Sequence, residues 1–412
     1  MTSTRTGISS EGKSSLLKSL HSSSPVSKAG LTHSFYRYPA RMPPELAREV
    51  IGLFTTPGGI VLDPFMGGGT SVVEAIACGR RAVGIDVNSL ATFIAEVKTT
   101  PLSPRDEEVI RKWASGLDLA PSKFAHASEG TAPEVTNLGL RAQRVFGRAL
   151  LQVDQLPKKR QQRFGRCCLL RVGQWCMDGK SSFPARSELK SQLLTSVEAM
   201  LAGLRDLVSC AREHGYSRRD LTARRVILHR SSVDAHTDTR LESILGKAEL
   251  ILTSPPYPSV HVLYNRWQVA GRRETPAPYW FIGESDGNPP SYYTMGTRAR
   301  SGRETYYRML VGAYRSMRSI MHPRGMVVQV VSFYDPDSQL PEFLQAMETA
   351  GFEEAFPIST SRDTLWRTVP NRSWYNRTTQ TRRTRKELLL FHVPRSDRAS
   401  LLPRRVHGIG CG

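Results

Sequence analysis

The chain of 412 residues contains no apolar run of about 18 residues, so nothing in it is long enough to cross a bilayer as a helix. Its six cysteines, Cys78, Cys167, Cys168, Cys176, Cys210 and Cys411, form no Cys-x-x-Cys pair, and no histidine cluster completes a zinc set. A bound metal is therefore not expected, and the thiols are expected to be reduced, as in an intracellular protein. The N-terminus lacks the apolar core of a secretory leader; it is rich in Ser, Thr and Lys and is expected to be disordered through residue 28. Acidic residues are scarce, 37 Asp and Glu against 57 Lys and Arg, for a net charge of +20. DNA is a dense line of negative charge, and a basic surface gains affinity by releasing its counterions. RNA would satisfy the same charge, and so would a basic protein with neither partner. No internal repeat is visible.

Against these absences stands Thr253-Ser254-Pro255-Pro256-Tyr257, directly after the apolar run Ala248–Leu252. Two prolines stiffen the backbone, remove two N–H donors and restrict the residue before them. Nearby carbonyls then face a space poor in local donors, which an exocyclic amino group on a planar ring can supply. Ser254 Oγ and a proline-region carbonyl could accept its two hydrogens, and Tyr257 offers a ring for stacking. Taken alone, the motif also reads as a strand followed by a Pro-Pro turn and a core tyrosine.

A second motif bears on that choice. Residues 59–76 read as a short buried strand, a loop with Gly67, Gly68 and Gly69, and a helix with Thr70 or Ser71 at its N-cap. Glycines allow positive φ and close approach of the backbone to a ligand, and a helix N-terminus favours a carboxylate. Asp63 at the strand end suits a cationic amine. An amino-acid moiety carries both charges, so S-adenosylmethionine fits the loop. A nucleotide-phosphate loop competes, but no Gly-Lys-Ser/Thr follows. A second strand, Ala82–Asp86, ends about 20 residues on in an acid suited to a ribose diol, followed by Asn88.

At this point the chain resembles the amino-methyltransferases of DNA. The methionine-side loop of that family is similar to Asp63-Pro64-Phe65-Met66-Gly67-Gly68-Gly69-Thr70, its catalytic loop to Ser254–Tyr257, and its upstream cofactor segment to His33–Leu46. The resemblance covers roughly residues 31–100 and 226–335, with weaker support to about 393. It implies a catalytic set of Ser254, Pro255, Pro256 and Tyr257. It also implies a cofactor set of Phe35, Tyr38, Asp63, Pro64, Phe65, Gly67, Gly69, Thr70, Asp86, Asn88 and Asp234. Asp234 is included because the family places an acid there, near the adenine of the cofactor. Ser-Pro-Pro-Tyr goes mostly with cytosine N4 in the family, and Asp- or Asn-Pro-Pro-Tyr/Phe with adenine N6. The implied reaction is methyl transfer from S-adenosylmethionine to cytosine N4 of a flipped-out base in double-stranded DNA, within a restriction-modification or host-defence setting. A cognate endonuclease or defence-system partner and a cytoplasmic, prokaryotic or phage-type location go with it. Adenine N6, an RNA base, or a non-catalytic DNA-binding protein on the same fold are the alternatives. A methylase of the cytosine ring carbon needs a Pro-Cys loop, which is absent.

The expected fold is α/β and Rossmann-like: a mostly parallel seven-stranded sheet with helices on both faces and a mainly helical insertion. The chain divides into a tail (1–28), a cofactor-binding part of the core (29–100), an inserted helical module (101–224), a catalytic part (225–395) with a loop-rich stretch (258–304), and a second tail (396–412). The insertion departs from the family, because Asp86 and the third strand, Arg225–Leu228, stand about 140 residues apart. In 189–208, Leu189, Leu193, Val197, Met200, Leu204 and Val208 sit at helical spacing and read as core. Three segments are candidates for contact with DNA. Segment 151–225 carries a local excess of basic residues. In 258–304, Tyr264, Trp267, Tyr279, Trp280, Phe281, Tyr292 and Tyr293 are interleaved with arginines, which suits stacking on bases or, equally, a lid with its own hydrophobic cluster. In 361–385, Asn371, Arg372 and the run Thr378–Arg385 suit phosphate.

Overall fold

A computed structural model of the chain describes residues 30–38, 42–120, 135–258, 266–269, 273–284, 293, 295–296, 300–333, 335–355, 366–368 and 386–395. Both expected tails, Tyr264, Tyr292, Asn371, Arg372 and Thr378–Arg385 lie outside the described residues.

Short apolar strands alternate with amphipathic helices, and this alternation builds the sheet. Its strands are β1 (Ile60–Asp63), β2 (Arg81–Asp86), β3 (Arg225–His229), β4 (Ala248–Thr253), β7 (Met321–Ser332), β8 (Phe352–Glu354), β9 (Trp366–Thr368) and β10 (Lys386–Pro394). The order is β3-β2-β1-β4-β7-β10-β8, with β9 pairing β10 at the edge. The strands β3, β2, β1, β4 and β7 run parallel, and β10 is antiparallel to β7 and β8. This is the expected Rossmann-like architecture. A short hairpin of β5 (Trp267–Val269) and β6 (Arg273–Thr275) stands apart from it.

The order reverses between β1 and β4, which are hydrogen-bonded neighbours. Ligands in such sheets bind at the carboxyl ends of the strands beside this reversal. The glycine loop leaves β1 there and the Ser254 loop leaves β4 there, so the topology brings the two motifs together.

The first helices on the sheet are α1 (Pro44–Phe54), α2 (Thr70–Ala77) and α3 (Ser89–Lys98), all of which precede the insertion. In α1, Leu46, Val50 and Ile51 are buried at helical spacing, and prolines at its start fit the first turn, where no N–H partner is needed. The insertion contributes α4 (Pro104–Gly116), α5 (Leu140–Asp154), α6 (Lys159–Met177) and α7 (Arg186–Glu213), then a short α8 (Asp220–Ala223) that leads into β3. Leu189, Leu193, Val197, Met200 and Leu204 are all buried on α7. The fully buried Asp106 joins α4 to α6: it caps the first turn of α4 through Ser103 and accepts from Arg160 and Gln161. Among the described residues no helix is long and apolar enough to cross a membrane.

The remaining helices are α9 (Ala277–Ile282), α10 (Arg300–Ile320) and α11 (Pro336–Thr349). Trp267, Tyr279, Trp280 and Phe281 are buried in one cluster with α5, α6 and α7. Phe281 meets Phe146 of α5 at a centroid distance of 4.9 Å and Trp267 at 5.4 Å. Base stacking by these four aromatics is therefore corrected: their rings belong to the core of the helical insertion. On α10, Tyr306 and Tyr314 are deeply buried and Tyr307 is half-buried.

At Gly173 on α6 a side chain would have no room, because an added Cβ would lie 2.6 Å from Phe281 Cζ and 3.0 Å from Trp267 Cη2. Gly173→Ala is expected to destabilise the protein by about 1–3 kcal/mol, the usual cost of overpacking a filled core. An unchanged midpoint in denaturant unfolding would show that the aromatic segment and the insertion do not share a core.

Candidate active site

The site is built on the ends of β1, β2 and β4. Gly67 and Gly69 have φ of +47° and +72°, values that suit glycine. The helix N-cap is Gly69, not Thr70 or Ser71. The cap falls where the backbone is still non-helical, at the left-handed Gly69, and Ser71, already inside the first turn, donates its hydroxyl to the carboxylate of Asp63.

Asp63 is buried and accepts from three donors: Ser71 Oγ, Thr253 Oγ1 at 2.7 Å and the Phe65 amide at 3.1 Å. Burial pushes its carboxyl up to about 6, against the pull of those hydrogen bonds. Its neighbours are thus the glycine-loop helix and the residue just before Ser254. Asp86, at the end of β2, accepts from the Gly67 amide at 2.8 Å and the Asn88 amide at 2.9 Å. Burial pushes it up to about 6 as well. Each carboxylate has about four lone-pair sites, so acceptor capacity remains on both.

The other cofactor-set residues divide into two groups. Tyr38 lies against the glycine loop: a Cβ on Gly67 would stand 3.3 Å from its Cε1, and one on Gly68 3.0 Å from its Cβ. The Pro64 carbonyl accepts from Ser232 Oγ at 2.5 Å, and Phe65 packs on the same core cluster as Tyr257. Thr70 Oγ1 is buried and has no hydrogen-bond partner among the described residues. Phe35, in contrast, is fully buried and turned into the helical insertion, edge-on to Phe164 at 6.1 Å. Asn88 caps α3 and accepts from Tyr279 Oη at 3.1 Å. Asp234 stands beyond β3 with its side chain 63% exposed and pairs with Arg230 at 3.0 Å.

The Ser254 loop is closely held. Ser254 Oγ donates to the Val330 carbonyl at 3.0 Å and lies 3.3 Å from Tyr257 Oη. Tyr257 Oη donates to Glu387 Oε1 of β10 at 2.9 Å. Tyr306 Oη donates to the Pro256 carbonyl at 2.7 Å. With its proton engaged, the Ser254 hydroxyl retains acceptor capacity.

Sequence reasoning missed Glu387, Tyr306 and Lys98. Lys98 is fully buried, and its Nζ donates to the Gly68 carbonyl at 2.6 Å, supporting the glycine loop from α3. A signal existed for Lys98, which falls on the apolar face of α3 with Ala91 and Ile94. None existed for Glu387, which stands 130 residues from Tyr257.

The donor set suits S-adenosylmethionine on three observations: an orphaned Thr70 hydroxyl at the glycine loop, a loop walled by Tyr38, and two acids at the strand ends. When bound, that cofactor supplies a methyl group on a sulfonium centre. Among the described residues no group of three or more His, Cys, Asp or Glu could hold a metal ion.

Comparison with known proteins bears on the same stretch. Residues 8–96 match a family model described as DNA methylase. The Type II methyltransferase M.MvaI of Kocuria varians is 44% identical over 77 residues, 18% of this chain and 17% of that protein. M.BsoBI of Geobacillus stearothermophilus, also a Type II methyltransferase, is 32% identical over 111 residues, 25% and 22% of the two chains. The DNA adenine methyltransferase YhdJ of Escherichia coli is 41% identical over 59 residues, 14% and 20%. The chain thus spans about a fifth of the length of these relatives. A solved rRNA methyltransferase, aviRa from Streptomyces viridochromogenes, aligns over 92% of each chain at 13% identity with a TM-score of 0.31, a likeness too slight to bear on function.

Asp63 generates a prediction with a definite sign. An acid with a raised value in the fold binds its proton more tightly when folded, so its stabilising contribution is full below about pH 4 and is lost as pH rises through about 6. In Asp63→Asn, the difference in unfolding free energy between about pH 5 and pH 7.5 should shrink relative to wild type. Equal differences in both proteins would show that this carboxyl does not titrate in that window.

Proposed function

We infer the reaction from one premise, that the chain belongs to the DNA amino-methyltransferase family. The reading is methyl transfer from S-adenosylmethionine to the exocyclic N4 amino group of cytosine in double-stranded DNA. The observation that carries it is the geometry of Ser254, whose proton is given to the Val330 carbonyl and whose lone pairs are free to accept from an amino group.

The residues then have distinct roles. The basic chain binds DNA by charge and takes one base out of the stack, at a cost of a few kcal/mol. Tyr257, its hydroxyl tied to Glu387, stacks on that base. Ser254 Oγ accepts one amino hydrogen. We assign the second to the Pro255 carbonyl, since that of Pro256 already receives Tyr306. Holding both hydrogens draws the nitrogen lone pair out of conjugation and toward the methyl group. Positioning in this way supplies much of the rate, and the departing proton goes to water. On the cofactor side, Asp86 would hold the ribose diol, Tyr38 and Gly67 would wall the methionine moiety, and the N-terminus of α2 would favour its carboxylate. The Asp63 charge favours its amine through the field at the strand ends, because its nearest donors are protein groups. Phe35 and Asn88 support these elements from behind. A restriction-modification or host-defence setting accompanies this reading, since two of the relatives are Type II methyltransferases.

A second reading, adenine N6, is favoured by the similarity to an adenine methyltransferase over 59 residues. Serine at 254 favours cytosine. The test is to incubate the protein with unmethylated DNA and labelled S-adenosylmethionine, digest to nucleosides and separate them. Label in N4-methylcytosine is expected. Label in N6-methyladenine would overturn the serine argument, and label confined to added RNA would overturn the DNA reading.

Ser254→Ala is expected to lower kcat by about 100-fold, as when one positioned hydrogen-bonding group is removed from a reacting centre, with cofactor affinity retained. Tyr257→Phe and Glu387→Gln should resemble each other, because each breaks or weakens the same tether. Steady-state kinetics with separate titrations of DNA and cofactor check both expectations, and a normal kcat in Ser254→Ala would remove serine from the chemistry.

A further inference from the structure

Residues 33–38, the stretch that ends against the glycine loop, are tied down one after another, mostly by the helical insertion. His33 Nε2 meets the buried Glu74 of α2 at 2.6 Å. The Ser34 carbonyl accepts from Arg171 of α6, and Phe35 packs on Phe164 of the same helix. Tyr36 is buried, and its hydroxyl accepts from Trp267 Nε1 at 2.9 Å. Arg37 is held at both of its backbone polar groups by one side chain, Gln174 of α6. The Arg37 amide donates to Gln174 Oε1 at 3.0 Å, and Gln174 Nε2 donates to the Arg37 carbonyl at 3.0 Å. Tyr38 follows, against Gly67 and Gly68.

We propose that Gln174 is a positioning residue for the cofactor: its carboxamide fixes the backbone of Arg37 and thereby sets Tyr38 over the glycine loop. The inference rests on the assignment of that loop to S-adenosylmethionine. A two-handed amide–backbone contact fixes direction as well as distance, since it mimics one rung of a β-ladder. Its chemistry is specific, because an acceptor and a donor are both needed on one planar group. It also gives the insertion a role at the active site: α6 carries Gln174 on one turn and packs against the post-catalytic Trp267 and Phe281 through Gly173 on the same turn.

The test compares wild type with Gln174→Ala, Gln174→Glu and Trp175→Ala. Glutamate keeps an acceptor for the Arg37 amide but offers no donor to its carbonyl. Trp175 is the exposed neighbour, and its replacement controls for damage to α6. Gln174→Ala should raise KM for S-adenosylmethionine by about five- to thirtyfold, the range for two lost hydrogen bonds, with kcat and KM for DNA unchanged. Gln174→Glu should fall between Ala and wild type, and Trp175→Ala should match wild type. Without cofactor, amide exchange in residues 36–38 should be about tenfold faster in Gln174→Ala, a readout independent of any ligand. An unchanged cofactor KM with faster exchange would overturn the role in cofactor binding. A fall in kcat shared with Trp175→Ala would reduce Gln174 to a structural residue. If wild type itself binds no S-adenosylmethionine, the cofactor assignment fails, and unchanged exchange would separately dismiss the Gln174 contact.

Discussion

One buried carboxylate holds the two halves of the site at a fixed separation. Asp63 ends β1, accepts the Ser71 hydroxyl of the glycine-loop helix, and accepts the Thr253 hydroxyl at the end of β4. Thr253 is the residue before Ser254. The distance from the glycine loop to the Ser254 loop is therefore set by three short side chains on adjacent elements. Burying a charge is costly, and the fold offsets it with donors on each side. A carboxylate is suited to this because it accepts from several directions at once, where a hydroxyl or amide would leave one of these donors unsatisfied.

A second set of constraints comes from outside the sheet. The glycine loop is supported from below by Lys98 and walled by Tyr38, and Tyr38 is delivered by a segment moored to the insertion. The insertion is joined by a shared aromatic core to Trp267, Tyr279 and Phe281, which follow the Ser254 loop in the chain. The glycine loop and the segment after the Ser254 loop are thus bound to the same helical body. The basic character of 151–225 has a partly structural account as well, since Arg160, Arg163, Arg166 and Arg171 all engage partners within the fold.

Legibility in the sequence followed the range of the physics. The glycine loop, the acid at the end of β2 and the Pro-Pro loop are each contiguous and impose local backbone conformations, so their presence and order could be read directly. The parallel sheet was readable because its buried strands are continuous apolar runs separated by helices of 3.6-residue period. The aromatics of 267–281 could not be assigned, because an aromatic that stacks on a base and one that fills a core look alike in a chain. Glu387 was invisible for a related reason: it meets Tyr257 only after β10 has crossed to pair with β7.

What the sequence by itself determined is the set of local devices: strand ends bearing acids, glycines that admit positive φ, prolines that remove donors, and the helical periods of the insertion. These are decided within a few residues, where backbone sterics and side-chain size act without help from distant chain. The tertiary structure decided which of those groups face each other. It turned the Ser71 hydroxyl to Asp63, gave Pro256 to Tyr306, set Glu387 behind Tyr257, and placed Gln174 across from Arg37. Each of these partnerships joins residues that only sheet order and core packing bring within hydrogen-bonding distance, and hydrogen bonds carry no mark in the sequence of the partner they will find.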